Sequence, residues 1–167
     1  IRSCLVGSEM CIRDRGGINS IIPFIFLVLI LIQIVIGAFV SGMDAGKIYN
    51  TWPLMGNTYF PNDNNVENLF KLSVFSDPSL VQFIHRNLAY LIGLFYVLIF
   101  FKVYKNKITK LYRSVNILGF FIILQIILGI FTIILGAQIY IAALHQLSSI
   151  FLVTSSIYFF FINSKTN

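Results

Sequence analysis

Four long apolar stretches, at roughly 21–40, 81–101, 114–135 and 139–162, dominate the chain and leave few folds open to it. Each has about the 20 residues that a helix needs to cross a bilayer. The rest of the composition agrees. Mean hydropathy is +0.86 and only 11% of residues are charged, where soluble domains run near a quarter. Little chain remains for a soluble domain, so the core has to be the bundle itself. The expected fold is all-α and membrane-integral, a four-helix antiparallel transmembrane bundle.

The net charge of +6 does not point to nucleic acid, because of where it sits. Lys102, Lys105, Lys107, Lys110 and Arg113 crowd one short connection, 102–113. Basic residues in a short loop mark the cytoplasmic side of a membrane, or the matrix side in a mitochondrion. The long connection 41–80 mixes Asp44, Asp63, Glu67 and Asp77 with Lys47 and Lys71, which places it outside. Both ends of the four-span region then fall inside, in keeping with Lys165. The second and fourth helices run from outside to inside and should face each other across the bundle diagonal.

Residues 1–17, IRSCLVGSEMCIRDRGG, do not match the rest of the chain. They hold Cys4 and Cys11, which lack the spacing and histidine partners of a zinc site. They contain no apolar core of a signal peptide. The stretch reads as a foreign or disordered segment ahead of a four-helix transmembrane domain at 18–167, in a chain truncated on its N-terminal side.

Within the bundle, Pro23 is tolerable near a helix start. Val66, Leu69, Phe70 and Val74 recur at helical spacing, so 64–75 is expected as an amphipathic helix in the interface. Asp77-Pro78 is a start signal, with Asp as N-cap and Pro in the first turn. Gly136-Ala137 marks a tight outer turn. An internal repeat links the two hairpins. QIVIGAFVSG parallels QIILGIFTII, aligning Gln33, Gly37 and Phe39 with Gln125, Gly129 and Phe131.

His85 and His145, the only two histidines, follow at equivalent places in the next helices and at one depth. An ionisable side chain in a membrane helix is expensive and needs a partner or a task. Two imidazoles at one level are what a six-coordinate haem iron requires, whereas zinc would want four protein ligands. Haem-iron ligation is therefore expected at His85 and His145. Gly37 and Gly129, near that level, would admit a planar group, or serve close helix packing. Arg86 suits a propionate, or snorkels to headgroups. Asn87 and Gln146 are placed to orient the histidines, with Gln82 in the same region. Gln33 and Gln125 would bond between helices or reach the ligand, interhelical bonding being favoured. GMDAGKIYNTWPLM, outside, could lid the site or anchor Tyr49 and Trp52 at the interface.

These residues resemble the haem A synthase family, of the cytochrome oxidase assembly type. The resemblance runs through nearly all of 30–160. Its signatures are GAFVSGMDAGKIYNTWPLM, EN at Glu67-Asn68, VQFIHRNLAY at 81–90, QIILGIFTII at 125–134 and ALHQLSSIFL at 143–152. The resemblance implies an eight-helix protein of two similar halves, of which this is the C-terminal one. It implies a haem b cofactor on His85 and His145, with Arg86, Gly37, Gly129, Gln33 and Gln125 around it. It also implies a membrane oxidoreductase that turns a methyl group of haem O into the formyl of haem A, for cytochrome c oxidase. The haem O site would lie mainly in the other half, so the fragment alone is expected to be inactive, and no catalytic residue is assigned. Haem O synthase as a partner, surrounding lipid and self-association complete the expected associations. The location implied is a bacterial inner membrane, with the haem site toward the outer side, or the mitochondrial inner membrane. Two other classes compete: a bis-histidine b-type cytochrome that only passes electrons, and a non-haem membrane assembly protein.

Overall fold

The computed structural model describes residues 17–166, and Cys4 and Cys11 lie outside them. Four helices, α1 (Ile21–Gly42), α2 (Pro78–Lys105), α3 (Thr109–Ile134) and α4 (Ile139–Thr166), are each long and apolar enough to cross a membrane. Among the described residues there is no strand, only an isolated bridge between Met55 and Thr58. The chain is an all-α membrane bundle.

Local chemistry sets the helix ends. The Asp77 carboxylate accepts from the amides of Ser79 and Leu80, at 3.0 and 3.1 Å, and Pro78 occupies the first turn. That satisfies two of the amides that no helix can bond internally. Asn64 also donates to Asp77, at 2.9 Å. Burial pulls this carboxyl upward, but the bonds from Asn64, Ser79 and the two amides outweigh it and hold it below the usual carboxylate value. At the far end of α3, Ala137 and Gly136 turn the chain with φ of 57° and 65°.

Two elements differ from expectation. The basic connection is mostly helical, with only residues 106–108 between α2 and α3. Cations end an apolar run but not a hydrogen-bond ladder, and their long stems tolerate a helix leaving the bilayer. The amphipathic helix expected at 64–75 is instead two 3-10 turns, Val66–Phe70 and Leu72–Ser76, broken where Lys71 is extended. Twelve residues are too few to hold an α-helix without packing. Here Phe70 and Leu72 are 87% and 94% exposed.

Each helix packs on its sequence neighbours and α4 closes against α1, so α2 and α4 lie on a diagonal as expected. The apolar core has a definite place. Phe26, Ile30, Ile92, Ile99, Val103, Leu111, Val115, Leu118, Ile122, Leu152 and Phe159 all lie at the helix midpoints or toward the basic hairpin. At that same end Asn163 exchanges two 2.8 Å bonds with the backbone of Ile18, and Tyr104 stacks on Tyr112. Toward the other end, among the described residues, no comparable cluster fills the bundle. That half carries the histidines and is roofed by the 43–77 strap.

Candidate metal centre

Counted from Pro78 and Ile139, His85 and His145 lie about 10 Å and about 9 Å along α2 and α4, at ~1.5 Å per residue. Both are half-buried. Each ring rests on the preceding helix where that helix has glycine. A Cβ on Gly37 would stand 3.1 Å from His85 Cε1, and one on Gly129 would stand 3.1 Å from His145 Cε1. What the glycines make room for is thus the imidazole itself. Helix packing and ring seating are one feature.

The glutamines bond between helices, the reading the sequence favoured. Gln33 Nε2 donates to the His85 carbonyl at 3.0 Å, and Gln125 Nε2 donates to the His145 carbonyl at 3.1 Å. A Gln–Gly pair on one helix therefore sets a histidine on the next, twice. The copies differ in one respect. Ser148, three residues after His145, places its hydroxyl within reach of both the Gln125 side-chain oxygen and the His145 carbonyl, and its one hydrogen serves one or the other. The matching position after His85 is Leu88, and Gln33 Oε1 is buried without a partner.

The imidazoles themselves are poorly satisfied. Nδ1 of both rings is buried with no hydrogen-bond partner. Nε2 of His85 has a single long contact, 3.4 Å from Gln33 Nε2. A buried nitrogen left unmet costs about 1–3 kcal/mol. Among the described residues no three His, Cys, Asp or Glu side chains come together. The donor set is two imidazoles on facing helices. That suits an iron whose four equatorial ligands come with it, and falls short of a tetrahedral ion.

Arg86 is 5% exposed and its guanidinium turns to the strap. It donates to the carbonyls of Tyr49, Thr51 and Leu54, at 2.8, 2.9 and 3.2 Å. Gln82 adds a 3.1 Å bond to the Tyr49 carbonyl. On the far side Asn50 donates to the Ile133 carbonyl at the end of α3, at 2.9 Å, and a Cβ on Gly46 would sit 3.2 Å from Ala137. The strap is bolted to α2 beside His85 and to the α3–α4 turn, so it crosses the mouth of the bundle. Tyr49 ties it internally to Asp63, at 2.8 Å; burial and that bond raise the phenol above its ordinary value. Asn87 and Gln146 do not reach the histidines. Asn87 accepts from the Tyr59 hydroxyl and donates to Phe83, while Gln146 contacts Ser41. Sequence reasoning missed Ser148, although its place three residues after a key histidine was a signal. It also missed Asn50, for which no motif speaks.

The family model for "Cytochrome oxidase assembly protein" matches residues 12–157. The relatives named "Heme A synthase" include one from Pelagibacter ubique (strain HTCC1062), 42% identical over 87% of this chain and 44% of its own length. Another, from Wolbachia pipientis wMel, is 45% identical over 81% of this chain and 37% of its own. A third, from Rickettsia felis, is 37% identical over 84% and 43%. The chain therefore spans less than half the length of these relatives. No solved structure matches it. By the extent of the family match and the identity to these relatives, the chain belongs to the COX15-CtaA family of cytochrome oxidase assembly proteins.

Proposed function

We propose that this chain is the C-terminal, haem b-binding half of a haem A synthase, with His85 and His145 as the two axial ligands of the haem iron. The observation that carries the reading is the doubled unit in which Gln and Gly of one helix seat the histidine of the next. Unsatisfied ring nitrogens on diagonal helices, above a core that fills only the other half, support it.

Haem b held here would supply a one-electron iron couple. The protein's own contributions are positional. Gly37 and Gly129 fix how far each ring stands from its neighbouring helix. Gln33 and Gln125 tie the backbone beneath each ring, which limits rotation of α2 and α4 about their axes. Arg86, Gln82 and Asn50 hold the strap over the mouth and keep bulk water from the imidazoles. Arg86 Nε, buried and unpartnered, is the one nitrogen of that guanidinium still without an acceptor, and a propionate at the strap edge would meet it.

In the whole protein the haem O site would lie in the half outside this chain, and oxidation of its methyl group would be completed there. This chain alone is then an inactive cofactor carrier. The relatives are bacterial, which fits an inner membrane with the strap on the outer face. Haem O synthase is a natural supplier of substrate, and self-association is a further expected association.

The test is purification in detergent followed by acid extraction of the bound haem. One haem b per chain, reduced in visible absorbance by His85→Ala and His145→Ala alike, supports the reading. Haem A formed by the chain alone, or a folded wild-type chain that takes up no haem, contradicts it. Haem b in this chain combined with no haem A from a full-length relative would favour the plain electron-transfer cytochrome.

A further inference from the structure

The two histidines are held unequally, and the difference falls on the atom that matters. At His145 both ends of the glutamine have a partner: Gln125 Nε2 donates to the His145 carbonyl, and the Ser148 hydroxyl, whose one hydrogen can also reach that carbonyl, donates to the Gln125 oxygen. Both ends of the Gln125 carboxamide are used, and neither touches the ring. At His85 the carboxamide is half used. Gln33 Nε2 serves the His85 carbonyl at 3.0 Å, and the same nitrogen lies 3.4 Å from His85 Nε2, while Gln33 Oε1 is buried and unmet. Leu88 stands where Ser148 stands in the other repeat and has no hydroxyl to lock it.

An amide NH₂ carries two hydrogens, so Gln33 Nε2 can donate one to the carbonyl and aim the other at the ring. A ring nitrogen has one lone pair. If His85 Nε2 binds a metal it cannot accept from Gln33, and if it accepts from Gln33 it is off the metal. We propose that His85 is an exchangeable axial ligand, with Gln33 as the partner that takes up its Nε2 when the iron bond opens, and that the opened face admits a small neutral ligand such as carbon monoxide. His145, whose glutamine is fully engaged elsewhere, stays bound. Only a coordination bond breaks and a hydrogen bond forms, so no electron or proton leaves the pair. The inference rests on haem ligation by His85 and His145. Gln33 acts here as a positioning residue.

The experiment uses the haem-loaded chain, reduced with dithionite, and follows carbon monoxide binding by absorbance. Wild type is compared with Gln33→Leu, Gln33→Met and the control Thr154→Val, an exposed α4 position that bonds the Ile150 carbonyl of its own helix. The reduced spectrum without carbon monoxide is the check on folding. Removing one hydrogen-bond partner of the free ring should lower carbon monoxide affinity by about threefold to tenfold in both Gln33 variants. Thr154→Val should not lower it. Met at 33 keeps the side-chain length, so it covers the case in which Leu impairs folding. A haem-loaded wild type that excludes carbon monoxide overturns the inference, as does equal loss in the Gln33 variants and Thr154→Val, or a gain in the Gln33 variants. A folded wild type with no haem overturns the ligation reading itself, and the inference with it.

Discussion

Replacing Arg86 with Ala should release the strap while leaving the bundle folded. The guanidinium makes three bonds to strap carbonyls, at Tyr49, Thr51 and Leu54. Bonds from a charged donor are worth about 1.5–3 kcal/mol each, so the gross loss is about 4.5–9 kcal/mol. Against that stands relief. Arg86 is buried, and the ion pair found among the described residues, Lys47 with Asp44, does not involve it. Burying a cation balanced only by carbonyl dipoles costs several kcal/mol, and alanine removes that cost. The net expectation is about 2–4 kcal/mol against the closed strap. At about 1.4 kcal/mol per decade, strap amides that exchange by opening should exchange about 30- to 700-fold faster. The reporter is Met55, which is buried and whose amide bonds the Thr58 carbonyl at 2.7 Å. Hydrogen–deuterium exchange by mass spectrometry on detergent-solubilised protein resolves peptides over 44–63 and over α2. Fast exchange confined to the strap is the expected result. Arg86→Lys should fall closer to Ala than to wild type, because a point charge cannot serve three carbonyls in a fan. Unchanged strap exchange in Arg86→Ala would show that Gln82 and Asn50 suffice and that the clamp argument is wrong.

Gly37→Ala and Gly129→Ala should each lower haem occupancy or shift its absorbance bands, since the new methyl would meet an imidazole carbon at 3.1 Å. Helix propensity alone would favour Ala by about 1 kcal/mol, so a more stable variant with an unaltered spectrum would remove the glycines from the site. Gly119→Ala is a control far from the histidines. Its Cβ would collide with the Tyr96 hydroxyl, forcing that ring off its 3.2 Å bond to the Val115 carbonyl. A loss of about 1–3 kcal/mol in detergent unfolding, with normal haem bands, is expected. Asp77 supplies a pH test. Its carboxyl is held below the usual value of about 3.9, so its stabilisation is complete above that value and is lost as pH falls through the depressed folded value. Melting curves of wild type and Asp77→Ala should differ by about 1 kcal/mol near neutral pH and converge in acid. A gap that persists once the carboxyl is protonated would mean that the charge does not matter.

The four spans were readable because hydropathy over 20 residues is a strong signal and nothing but a helix satisfies it. Their ends were less readable. Lys102, Lys105, Lys110 and Arg113 ended the apolar windows while the helices ran on beneath them. Val66 to Val74 had helical spacing but too few residues and too little to pack on, so 3-10 turns formed instead. The repeat made the Gln, Gly and His positions legible as a set. It did not reveal that glycine seats the ring, which depends on which helix faces which. The strap contacts of Arg86 were hidden for a different reason. Its acceptors are backbone carbonyls, which every residue has and no sequence advertises. Leu88 against Ser148 was open to view in the repeat and is the difference that sets the two histidines apart.

Low-temperature electron paramagnetic resonance of the oxidised, haem-loaded chain tests the central claim most directly, because it reads the axial ligands and not merely the presence of haem. Two imidazole ligands give a low-spin ferric signal in the wild type, and His85→Ala and His145→Ala should each convert it to high spin. A low-spin signal that survives either substitution would mean that the iron is held elsewhere.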